Sequence, residues 1–145
     1  MPSRKVKIDT GYLVFLHDQL AINQARMKEI FGPSGSEMIL NSSSDKLMQA
    51  VGKEFPFHPL DGLVSTMKEW GMKVMKEEKD GRVDVSIECP YAEAVHPKLS
   101  SDSPVCPLSE YTLGALRMEN KAAALETNKL LPGGAHFRFR VSDTE

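Results

Sequence analysis

Two stretches of this chain change character strictly at every second residue. Val83, Val85, Ile87 and Cys89 alternate with Asp84, Ser86 and Glu88, and further on Phe137, Phe139 and Val141 alternate with His136, Arg138 and Arg140. A period of two puts the apolar set on one face of a strand and the polar set on the other, so each stretch needs a partner strand beside it and an apolar layer beneath it. Each also adjoins a turn signal, Asp80-Gly81 before the first and Pro132-Gly133-Gly134 before the second, which predicts two antiparallel hairpins. The incoming strand of the first carries Val74 and runs into a charged, solvated turn at Lys76-Glu77-Glu78-Lys79-Asp80. That of the second carries Ala123, Leu125 and Thr127.

The covering layer has to come from helices. Leu13, Leu16, Leu20, Met27 and Ile30 recur at helical spacing with Asp18, Gln24 and Lys28 between them, and Gly32-Pro33-Ser34-Gly35-Ser36 is expected to stop that helix. The same segment lacks the Lys-Ser/Thr of a phosphate-binding loop and follows a helix rather than a strand, so it reads as a linker. Ser34 or Ser36 would cap a second helix carrying Met38, Ile39, Leu47 and Met48. Asn41-Ser42-Ser43-Ser44, poor helix formers, are expected to break it in two. Leu60, Leu63, Val64 and Met67 mark a third helix, with Trp70 closing its stripe and Gly71 as its stop. Three prolines between Pro90 and Val105 predict a loop with a helical turn at Tyr91 to Val95. Ser103-Pro104 then starts a helix with Leu108, Tyr111, Thr112, Ala115 and Leu116 on its buried stripe. The whole chain, residues 1–145, is therefore one α+β domain: a helical layer packed on a small antiparallel sheet.

Composition narrows the function. With 18 basic against 20 acidic side chains, there is no basic face for nucleic acid, and no direct nucleic-acid partner is expected. No run approaches the roughly 20 apolar residues of a membrane span. The apolar stretch from Tyr12 to Leu16 is too short for a signal peptide. Two cysteines do not make a disulfide framework, so a cytoplasmic address is expected. Cys89, on an apolar strand face, reads equally well as a small hydrophobe. Cys106 falls in the predicted first turn of a helix, where the dipole favours a thiolate and a nucleophile or redox thiol. His96, between the two cysteines, is the one histidine near them in sequence. His136 falls on the polar face of its strand, and His17 and His58 have no partner motif.

From Val85 to Val141 the runs Val-Ser-Ile-Glu-Cys-Pro-Tyr-Ala-Glu-Ala, Val-Cys-Pro-Leu-Ser-Glu-Tyr-Thr-Leu-Gly-Ala-Leu and Leu-Glu-Thr-Asn-Lys-Leu-Leu-Pro-Gly-Gly-Ala-His-Phe-Arg-Phe-Arg-Val resemble the C-terminal half of the 4-vinyl-reductase-like domains. These are small-molecule- or hydrocarbon-binding modules. The layout is also similar to the sensory half of iron–sulfur-biogenesis repressors and to the amino-thiazoline-carboxylate hydrolases. The fold so implied resembles the ligand-binding domain of nitric-oxide signalling and Golgi transport proteins, often as a homodimer. The resemblance implies a small apolar ligand against Trp70, Tyr91, Tyr111 and Phe137, between the helical layer and the sheet. It also implies a zinc or iron–sulfur site at Cys89 and Cys106, with His96 as a third ligand, because Lys129 and Phe137 occupy the family's other two cysteine positions. The expected function is a non-catalytic binding or sensory domain, with a Cys-dependent or metal-assisted hydrolase, or a dimerisation or adaptor module, as alternatives.

Overall fold

The computed structural model describes residues 9–51, 59–100, 105–119 and 121–143. Helix α1 (Thr10–Val51) is followed by α2 (Pro59–Glu69) and the hairpin β1 (Lys73–Lys79) and β2 (Arg82–Glu88). A short α3 (Ala92–Val95) runs into a 3-10 turn (His96–Lys98). Helix α4 (Leu108–Met118) and the hairpin β3 (Lys121–Leu131) and β4 (Gly134–Asp143) complete the order. The four strands form one antiparallel sheet in the order β1-β2-β4-β3. The α+β arrangement and both hairpins are as the alternating patterns predict.

The sheet buries one face. Val83, Val85 and Ile87 of β2 stand opposite Phe139, Phe137 and Ala135 of β4, all six buried. Leu60, Leu63 and Met67 of α2 and Leu113, Ala115 and Leu116 of α4 complete that core. Asp80 and Gly81 both have positive φ (52° and 75°), the two-residue hairpin geometry that matches strand twist. Strand β1 extends through Lys79, so the charged run expected to be turn is mostly strand, and its Lys76 reaches Asp61 of α2 at 3.2 Å. Strand β4 is interior rather than an edge, and Arg138 on its outer face bonds Asp84 at 2.9 Å.

Helix α2 ends as predicted at Gly71. The Gly71 amide donates to the Lys68 carbonyl (3.0 Å) and the Met72 amide to the Met67 carbonyl (3.1 Å), a Schellman cap with Met67 and Met72 both buried. Its other end is held by the Glu119 carboxylate, which accepts the Leu60 amide (3.1 Å).

Helix α1 departs from expectation twice. The five-residue linker is a one-residue kink: Gly32 takes φ 71°, ψ 176°, a region closed to side chains, and Pro33 opens the second arm, where its missing N–H costs nothing. The expected break at Asn41–Ser44 is absent, and the helix runs through it. Tertiary contact explains why. Ser44 is fully buried where α1 crosses α4, and a Cβ placed on Gly114 would collide with the Ser44 carbonyl and the Met48 side chain. Small residues on both helices allow an approach worth more than the propensity they lack. Arg117 of α4 clamps the crossing with two bonds to Asp45, at 2.7 and 3.1 Å. We expect Gly114→Ala to destabilise the domain by about 1–3 kcal/mol through overpacking. The check is the urea midpoint; an unchanged midpoint would mean that the helices do not meet there.

Candidate ligand-binding cleft

The first arm of α1 does not lie flat on the sheet. Between it, the end of α2, α3 with its 3-10 turn and the first turn of α4 is a cleft of about 400 Å³, within the range of small-molecule sites. Leu13, Leu16 and Leu20 form the α1 wall, because residues three and four apart share a helix face. Trp70 and Met72 close the side where α2 turns into β1. Tyr91, Ala92 and Val95 line it from α3, and Pro107, Leu108 and Tyr111 from α4. The Tyr91 hydroxyl donates to the Trp70 carbonyl at 3.5 Å. Of the four aromatic residues expected at a ligand, Trp70, Tyr91 and Tyr111 meet here. Phe137 does not: it is fully buried in the core opposite Val85, edge-on to Phe139. Trp70 is not core either, with 48% of its surface exposed at the rim.

Two histidines face each other in this apolar setting. The rings of His17 and His96 stand with centroids 6.2 Å apart, steeply inclined. His96 Nδ1 is 3.1 Å from the Leu131 carbonyl, which can only accept, so the ring hydrogen sits on Nδ1 and Nε2 carries the lone pair when the ring is neutral. His17 is different. Both of its ring nitrogens are shielded from solvent, and among the described residues neither has a hydrogen-bond partner. Desolvation, reinforced by the neighbouring His96, lowers its pKa below the ordinary histidine value, with Asp18 opposing. The sequence signal for this position is a histidine inside a Leu-rich helical stripe, with no partner motif beside it.

The cysteines sit beside the cleft rather than at its centre. Cys89 lines it, while Cys106 packs against the core. Cys106 precedes α4 instead of occupying its first turn, and burial pushes its thiol up to about 12, with Cys89 adding to the shift. The expected low-pKa thiolate is thereby corrected, because the loss of solvent outweighs the nearby helix end. Among the described residues no three His, Cys, Asp or Glu side chains converge as a metal set, so Cys89, Cys106 and His96 do not form one. His136 bonds Asp84 (2.9 Å) on the outer sheet face, away from both thiols. The segment Ser103-Pro104 and His58 lie outside the described residues.

Asn128, which carries no sequence signal, organises this corner. Its carbonyl oxygen accepts the Cys106 amide (3.1 Å), and its amide donates to the Cys106 carbonyl (3.0 Å) and to the Ser109 hydroxyl (2.9 Å). It thus ties β3 to the entry of α4 and fixes where Leu108 and Tyr111 stand.

A larger concavity of about 560 Å³ lies in the elbow of α1 against β3, but charged and amide groups including Lys28, Glu37, Asn41 and Arg140 line it. Its desolvation would return less. Among the described residues no helix is long and apolar enough to cross a membrane. No protein-family model matches this chain, and no curated protein matches it.

We expect iodoacetamide to leave Cys106 unmodified in the folded protein at neutral pH and to modify it on unfolding. Asn128→Ala should speed that reaction while costing about 1–3 kcal/mol of stability. Peptide mapping by mass spectrometry after timed alkylation is the check, and fast labelling of Cys106 in the native wild type would restore a reactive thiol.

Proposed function

We propose that this protein is a non-catalytic domain that binds or senses a small, largely apolar molecule in the cleft between the first arm of α1, α3 and α4. The observation that carries this is the cleft's lining: three leucines, Trp70, Met72 and two tyrosines brought together from four separate parts of the chain. Apolar surface left concave and partly exposed favours a ligand that removes it from water, at roughly 25 cal/mol per Å². The resemblance to the 4-vinyl-reductase-like domains points to the same class of ligand. The hydrolase reading has less support, since Cys106 is a protonated thiol at neutral pH. The proposal includes a cytoplasmic address, which two free cysteines support.

Trp70 is the single tryptophan of the chain and lies on the cleft wall, so its emission reports occupancy. Titration with the neutral probe 4-phenylbutan-1-ol should shift Trp70 emission to the blue with saturation, as the indole loses water. Leu16→Phe, which adds bulk to the opposite wall, should weaken binding about tenfold, roughly 1.4 kcal/mol. No saturable change with the wild type, by fluorescence and by calorimetry, would sink the reading.

A second reading concerns association. Tyr12, Phe15, Ile30, Phe31 and Met38, all on α1, are more than half exposed. Exposed apolar side chains along both arms of α1 support a homodimer or an adaptor face. We expect sedimentation velocity to show a dimer that Phe15→Glu with Ile30→Glu converts to monomer; a monomeric wild type would remove this reading.

A further inference from the structure

We infer that the cleft selects a small monocarboxylic acid, its apolar body lying along Leu16, Leu20 and Trp70 and its carboxylate seated on the His17 imidazole. The inference rests on the small-molecule reading and adds the chemistry of the ligand's polar end.

Three observations converge on an anion. First, His17 lines the cleft among mostly hydrocarbon and aromatic groups, and its two ring nitrogens, shielded in the empty protein, have no partner among the described residues, so a turn of the ring about its Cβ–Cγ bond is what offers one to a ligand. Buried polar atoms in native structures are nearly always satisfied, so an orphaned imidazole in a cavity wall marks where a ligand's polar atom belongs. Second, the residues lining the cleft include no Asp, Glu, Lys or Arg. A ligand cation would meet no countercharge there, whereas a ligand anion meets a ring that can take up a proton. Third, α4 begins at the cleft, where Pro107 and Leu108 line it. The positive end of an eleven-residue helix therefore faces the same space.

The charged and titratable groups around His17 agree with this assignment. His96 faces it from the 3-10 turn and, together with burial, disfavours a charge on His17 in the empty cleft. The Asp18 carboxylate, one residue along α1, accepts the Ser100 amide at 3.1 Å. Cys89, Tyr91 and Tyr111 are the other titratable groups of the lining. A carboxylate arriving from solvent supplies the missing negative charge, and His17 gains a proton from water as it binds. The resulting N⁺–H to carboxylate bond, in a site of low polarity, is of the strong charge-assisted kind. Because the empty site holds His17 below its ordinary pKa and the bound acid raises it, binding takes up a proton. Affinity for the acid accordingly rises as pH falls towards and below 6.5, until the free acid itself protonates.

The experiment compares 4-phenylbutyrate with 4-phenylbutan-1-ol, two probes of the same length and apolar body, by calorimetry and Trp70 emission at pH 6 and pH 8. We expect the acid to bind about tenfold more tightly than the alcohol at pH 6, with the preference shrinking at pH 8. His17→Phe should abolish the preference while keeping or improving alcohol binding, which shows that the variant is folded and its cleft intact. Carbon-detected NMR titration of the His17 ring should show its pKa raised on saturation with the acid. Equal binding of both probes, or an acid preference that survives His17→Phe, overturns the carboxylate assignment and leaves the small-molecule reading standing. Failure of both probes to bind overturns the two together.

Discussion

The crossing of α1 and α4 at Ser44 and Gly114 decides the shape of everything above the sheet. Helix α4 is buried from Thr112 through Leu116, on all sides rather than along a stripe, because the sheet core lies under it and the second arm of α1 lies over it. A helix enclosed in this way needs small residues wherever a backbone comes close, and Gly114 against Ser44 supplies them. The Asp45 to Arg117 pair fixes the rotation of the two helices about that contact. With the second arm so placed, the kink at Gly32 determines where the first arm goes, and that arm is one wall of the cleft.

The cleft is thus a by-product of geometry as much as of composition. Straightening α1 through Gly32 would carry Leu13, Leu16 and His17 away from Trp70 and Tyr111. The opposite wall depends on a polar device, the three bonds of Asn128 that hold β3 and the start of α4 in one piece. Buried amides of this kind add little net stability when satisfied, and cost much when one partner is removed. They specify position, which is what a binding site needs from its scaffold.

What was legible in the sequence was whatever rests on short-range pattern. The alternation at Val83 to Ile87 and at Phe137 to Phe139, the Asp80-Gly81 turn and the Gly71 stop of α2 each follow from backbone rules acting within a few residues. The failures were of another kind. Asn41 to Ser44 read as a helix breaker because propensity was judged without the partner helix that rewards small side chains. Cys106 read as an activated thiol because the dipole was weighed without burial, and burial won. Phe137 was expected at a ligand on the strength of a resemblance, although its place in an alternating stripe, opposite Val85, already put it in the core. His17 and Asn128 acquire meaning only from residues about 80 and 20 positions away, a separation that no local pattern spans.

The two outer strands also limit how copies of this protein can meet. Strand β1 carries Lys73, Lys76, Glu77, Glu78 and Lys79 along its length, and β3, at the other margin, is interrupted between Leu125 and Thr127 by a bulge at Glu126. Charge on one side and a broken ladder on the other are the features by which natural sheets refuse an added strand. The sheet is therefore terminated at both margins, and four strands is its finished width. Growth into a continuous intermolecular sheet, the first step of fibrous aggregation, finds no template at either margin.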